Sequence, residues 1–222
     1  LATVAREFPE AGTANDLPGT DHGALSDNTT AGIARWRAYE DSVLQQLRAV
    51  DPRSLGTGAD RVLHGVLLDQ VERDVGVRVC RLELWGVASY VNGWQASLTD
   101  LARVQPAGTD ELRALALQRA RAIPRYIDNE VVLLQQGLRA GYSSPKVIVR
   151  EVISQLDSLL AATPAQSPFS APAQKDTTPA FQSAYHAIVR DEINPAVRRY
   201  RTFLQEKYLP AAREEIGVAA NP

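Results

Sequence analysis

His22, His64 and His186 are the residues of this chain best suited to hold a metal or pass a proton near neutral pH. No two of them stand four apart, the spacing that sets a pair of imidazoles on one helical face for zinc, and no HExxH occurs. They fall in a loop and on two separate predicted helices, where each reads as a surface or hydrogen-bonded histidine. The acidic pairs Asp191-Glu192 and Glu214-Glu215 are sequence neighbours, which diverge by about 100° on a helix and do not converge on one substrate. Cys80 is the single cysteine, which excludes an internal disulfide and a cysteine-based zinc knuckle. With apolar helical neighbours and no nearby histidine, it is expected to be a buried small hydrophobe. Arg198, Arg199 and Arg201 are expected to form a solvent-facing stripe paired to Asp191 or Glu206 along their own helix. Neither a Gly-x-Ser-x-Gly elbow nor a phosphate-cradling glycine loop occurs in the sequence.

The most distinctive irregular stretch is 81–95, RLELWGVASYVNGWQ, which breaks helical periodicity and crowds Trp85, Tyr90, Asn92 and Trp94 together. Aromatics on such backbone either plug the space under a loop or wall a ligand groove, and the plug is the simpler expectation.

These residues must be positioned by helices, because the apolar pattern is helical nearly throughout. The central stretch 121–160 carries Ile123, Ile127, Val131, Leu134 and Leu138 on one stripe and Ile148, Val152, Leu156 and Leu159 on another. Gly141 closes the first helix, and Ser144-Pro145 are expected to supply an N-cap and a first-turn proline for the second. Upstream, Asn28-Thr29-Thr30 caps a helix bearing Ile33, Trp36, Val43, Leu47 and Val50, which Asp51-Pro52 ends. A further helix starts near Gly58 with a stripe of Leu63, Val66, Leu67, Val71 and Val75. Its glycines, Gly65 and Gly76, invite close packing by a neighbour. Thr109 caps a helix expected to kink or break at Pro124. Residues 163–180 read as an extended Pro-rich connector, and the last helical region should bend at Pro195 and Pro210. Residues 1–28 begin with a helical turn around Val4 and Phe8 and continue as a long polar loop. The expected fold is all-α, about seven helices in an irregular antiparallel array around a central hairpin at 123–160, forming a single domain over 1–222.

Length and composition agree. A chain of 222 residues buries about 70% of its unfolded surface without staples. The formal charge of −2, from 24 basic and 26 acidic residues, leaves no cationic field for nucleic acid. No stretch approaches the roughly 20 apolar residues of a transmembrane segment. The chain lacks methionine and a signal peptide and opens with Leu1 in what reads as a helix tail, so it is expected to be a processed or truncated piece of something longer.

Four segments in order, LSDNTTAGIARWRAYE, ARAIPRYIDNEVVLLQQGLRAGYSSPKVIVREVISQLD, SPFSAP and NPAVRRYRTFLQEKYLPAAREEIG, resemble the N-terminal half of the bacterial domain of unknown function 885 family. The resemblance implies long helical proteins of the cell envelope or periplasm, similar to zinc metallopeptidases whose HExxH lies beyond the equivalent of Pro222. On it, this chain carries no catalytic residue and no cofactor of its own, zinc belonging to the full-length parent. Its partners would be the C-terminal half of the same protein and a peptide substrate, with a homodimer of the fragment as a further form. The resemblance also marks Trp85, Tyr90, Asn92, Trp94 and Tyr142 as candidate substrate-channel residues beside the core hairpin.

Two readings follow. One is a noncatalytic N-terminal scaffold of an exported metallopeptidase-like protein, contributing fold and channel wall. The other is a stand-alone helical module that binds a peptide or protein and has no enzymatic activity. A fragment would expose an apolar patch, or cover it in a dimer.

Overall fold

The computed structural model describes residues 2–88 and 93–222. All named elements among them are helical, and no β-strand occurs there, as the apolar period predicts. None of the described helices is long and apolar enough to cross a membrane. The chain divides into two compact units, Thr29–Leu82 and the remainder, Leu1–Asn28 with Glu83–Pro222.

The smaller unit is an antiparallel pair, α3 (Thr30–Ala49) and α4 (Gly58–Val77). Thr29 Oγ1 accepts the Gly32 amide at 3.0 Å and Thr57 Oγ1 that of Asp60 at 3.1 Å, so each start is capped by a threonine hydroxyl. Three contacts set the register. His64 Nε2 lies 2.9 Å from the Leu47 carbonyl, Arg48 pairs with Glu72 at 2.8 Å, and Arg78 reaches Glu40 at 2.6 Å and Asp41 at 2.7 Å. They also turn α4 about its axis. His64, Leu68, Val71, Val75 and Arg78 form its half-buried face, whereas Leu63, Val66 and Leu67 of the expected stripe point outward, 58%, 58% and 45% exposed. The helical period is as expected and the face is not, and no neighbour lies within 4 Å of where a Cβ on Gly65 or Gly76 would stand. Cys80 ends a 3-10 turn at Arg78–Cys80 and is half-buried, not the buried residue its neighbours suggest.

The larger unit is built on a helical hairpin whose first arm is longer than expected. α6 (Asp110–Arg139) runs unbroken through Pro124, and α7 (Lys146–Ala161) returns. Proline in a helix interior costs about 3 kcal/mol. Ala116, Ala120, Ile123 and Ile127, all buried on the core side, hold the helix through it. At the turn Gly141 has φ of 83°, a left-handed conformation that a glycine adopts freely, and the Tyr142 amide donates to the Gly137 carbonyl at 2.9 Å. Ser144 is not the N-cap. It is buried, its amide donating to Tyr208 Oη at 2.8 Å and its hydroxyl to the Trp85 carbonyl at 2.5 Å, and Pro145 occupies the cap position instead. Gly137 is required for a different reason: a Cβ there would stand 1.7 Å from the carbonyl oxygen of Leu84.

α5 (Trp94–Val104) packs beside this hairpin with the segment that was expected to be an extended connector. That segment instead folds as a 3-10 turn, Pro168–Ser170, and α8 (Ala171–Lys175), with Phe169, Ser170, Pro172 and Ala173 in the core. Its small residues and prolines permit close approach where an exposed linker would need only polarity. The last region, α9 (Pro179–Ile188), α10 (Asn194–Phe203) and α11 (Leu209–Ala211), is joined by two π-helical turns, Val189–Ile193 and Leu204–Tyr208. Each wide turn precedes a proline, Pro195 or Pro210, and contains the residue four back, Asp191 or Glu206, whose carbonyl the proline cannot serve. The helical run thus continues past both prolines. Arg199 and Arg201 do not pair along α10 but bridge to Asp128 on α6 at 2.8 Å and Asp157 on α7 at 2.9 Å.

Candidate functional site

The N-terminal segment places the site. α1 (Ala2–Glu7) and α2 (Pro9–Ala14) lead into a loop that reaches Asn28. The loop is held down by a residue far along the chain, Arg119 of α6. Its Nε donates to the Ala24 carbonyl at 2.7 Å, Nη2 to the Asp21 carbonyl at 2.9 Å, and Nη1 to Gln105 Oε1 at 2.6 Å and Thr13 Oγ1 at 3.0 Å. All these acceptors are neutral. Desolvation pulls the buried guanidinium down to about 10, which leaves it charged at neutral pH.

Held this way, the loop meets one face of α6 around a cleft of about 340 Å³. Its walls include Phe8, Glu10, Ser26, Trp94, Tyr126 and Glu130. Tyr126 and Glu130 stand four apart on α6 and so share a face. Glu10 Oε1 accepts both the amide and the hydroxyl of Ser26, each at 2.9 Å. Asn28 Nδ2 donates to Glu130 Oε1 at 2.8 Å and to the Tyr126 carbonyl at 2.9 Å, and Asn129 Nδ2 orients Asn28 by donating to its Oδ1 at 2.8 Å. Trp94 packs edge-on against Tyr200, centroids 5.2 Å apart, and its buried Nε1 makes no hydrogen bond of ordinary geometry.

Electrostatics mark Glu130. Desolvation holds its carboxyl above the usual carboxylate range, only partly opposed by the Asn28 hydrogen bond. The same burial, with Glu130 and Glu10 adding to it, raises the Tyr126 phenol, which stays neutral. No cationic side chain among the described residues forms an ion pair with Glu10 or Glu130. Two carboxylates in an aromatic cleft can pair with a cation or exchange a proton.

Across residues 9–220 the sequence matches the family described as "Bacterial protein of unknown function (DUF885)". The chain belongs to this family. No curated protein matches it.

Within this DUF885 chain the candidate channel residues separate. Trp94 lines the cleft. Trp85 lies under the Arg213 guanidinium, 5.1 Å from its ring centroid, and Tyr142 sits half-buried in the turn after α6. Both are at the hairpin hinge, and neither lines the cleft. Tyr90 and Asn92 lie outside the described residues. The residues that sequence reasoning missed are Glu10, Ser26, Asn28, Arg119, Tyr126 and Glu130. Only the i, i+4 spacing of Tyr126 and Glu130 hinted at them.

Among the described residues no side chains are grouped to hold zinc. His22 Nδ1 bonds Thr13 Oγ1 at 3.0 Å, His64 bonds the Leu47 carbonyl, and His186 Nε2 is buried without a partner. Among the described residues no three His, Cys, Asp or Glu side chains form a group that could hold a metal.

Proposed function

We propose that this DUF885 chain is a helical scaffold, itself noncatalytic, within a zinc metallopeptidase-like protein of the bacterial envelope, and that it contributes the wall of a peptide channel. The observation that supports the channel reading is the cleft itself, where Trp94 stands with Phe8, Tyr126 and two carboxylates that have no ion-pair partner. Aromatic walls with a few placed polar groups are what small binding sites share. Any zinc would be held by residues outside this chain, and the remainder of the same protein would be its partner.

The test uses the whole 222-residue chain. Short peptides are titrated against tryptophan fluorescence, and their hydrolysis is followed with zinc added. Binding without turnover is expected. Turnover abolished by a chelator overturns the noncatalytic role, and the absence of binding by every peptide overturns the channel wall.

A second reading is a stand-alone binding module, for which the outward apolar face of α4 at Val62, Leu63, Val66 and Leu67 would serve a partner as well as it would serve the missing part of a fragment. Sequencing the gene beyond codon 222 separates the two, because only the scaffold reading requires an HExxH-encoding continuation.

A further inference from the structure

We infer that the cleft between α2, α5 and α6 receives a cationic group of a peptide, an ammonium or guanidinium, seated between the carboxylates of Glu10 and Glu130 and the aromatic walls of Phe8, Trp94 and Tyr126. The inference rests on the cleft being a binding site. It is independent of any activity elsewhere in the protein.

The first argument is the state of the two carboxylates. Each is held through one oxygen, Glu10 Oε1 by Ser26 and Glu130 Oε1 by Asn28, and among the described residues no hydrogen bond reaches the second oxygen of either. Burial draws the Glu130 carboxyl out of bulk water, where such a group is ordinarily paired, and among the described residues neither it nor Glu10 forms an ion pair. Arg119 is the nearby fixed charge, and it acts on Glu10 only through space: its hydrogen bonds go to two carbonyls, a glutamine and a threonine, and to neither carboxylate.

The second argument is the wall. Aromatic rings attract an ammonium or guanidinium through their negative faces, and three of them line this one cleft. An anion would meet two like charges, and a purely apolar group would leave both carboxylates uncompensated. Size agrees as well. A water takes about 30 Å³ of liquid, so a volume near 340 Å³ holds roughly ten waters, or one long side chain with its peptide unit.

The experiment is calorimetric titration of the full chain with three short peptides of equal length. One has a free α-ammonium and no basic side chain, one is N-acetylated with an internal lysine, and one is N-acetylated with norleucine in place of lysine. At least one cationic peptide should bind about tenfold or more tightly than the norleucine peptide, and which one does so identifies the source of the charge. E10Q and E130Q should each remove most of that preference, with melting curves showing that both variants are folded. Equal binding of the norleucine peptide overturns the cation and leaves the channel wall standing. Preference retained in the E10Q/E130Q double variant also overturns it, and no binding by any peptide ends both readings.

Discussion

The Arg119 guanidinium donates a 2.7 Å hydrogen bond to the carbonyl of Ala24, ninety-five positions earlier in the chain. Through this contact and its bonds to Asp21, Thr13 and Gln105, α6 fixes the loop that carries Ser26 and Asn28. Lysine cannot reproduce the planar fork that meets four acceptors. R119K is therefore expected to cost about 2–4 kcal/mol in denaturant unfolding, from buried acceptors left unpaired, and to weaken binding in the cleft. Unchanged stability would mean that the loop is held by other contacts.

Glu130 links stability to pH with a definite sign. Burial holds its carboxyl above the ordinary value of 4.5, so the folded state binds that proton more tightly than the unfolded chain. The resulting stabilisation is complete below about pH 4.5 and is lost as pH rises through the folded-state value. E130Q imitates the protonated acid and keeps an oxygen for Asn28. It should stabilise the protein at pH 7 by roughly 0.5–2 kcal/mol, with the advantage vanishing near pH 4. Thermal melts across that range measure it, and a variant less stable than the parent at pH 7 contradicts it.

Gly137 faces the Leu84 carbonyl so closely that a methyl group cannot be admitted without moving one backbone from the other. Although alanine is the better helix former, G137A is expected to destabilise by about 2–3 kcal/mol. Equilibrium unfolding would show the loss.

Tyr208 is fully buried, and its phenol oxygen accepts the buried amide of Ser144 at 2.8 Å. Y208F keeps the ring and removes the acceptor, which should cost about 1–3 kcal/mol. Faster amide exchange confined first to the hairpin turn is the accompanying signature.

On α4 the expectation is the reverse. L63K replaces a residue that is 58% exposed, and its effect on unfolding should lie within about 0.5 kcal/mol. Comparing sedimentation of L63K with that of the parent also tests whether this apolar face mediates self-association.

How far the chain could be read in advance differs from element to element. The period of Ile123, Ile127 and Leu134 required a helix, and Thr29 and Thr109 marked two helix starts, because capping and amphipathic spacing act over a few residues. Of the kink or break expected at Pro124, the break did not occur, because a buried face outweighed one lost hydrogen bond. The middle of the supposed linker at 163–180, from Phe169 to Ala173, proved to be core, since small residues and prolines describe a loose strand and a tight corner alike. Which face of α4 turns inward was decided by His64 and Arg78 reaching α3, a rotation that periodicity leaves undetermined. Local pattern sufficed for the all-α class. The cleft needed the tertiary structure, because Glu10, Ser26 and Trp94 come within reach of Glu130 only when Arg119 holds the loop, and no spacing along the chain encodes a contact made across a hundred residues.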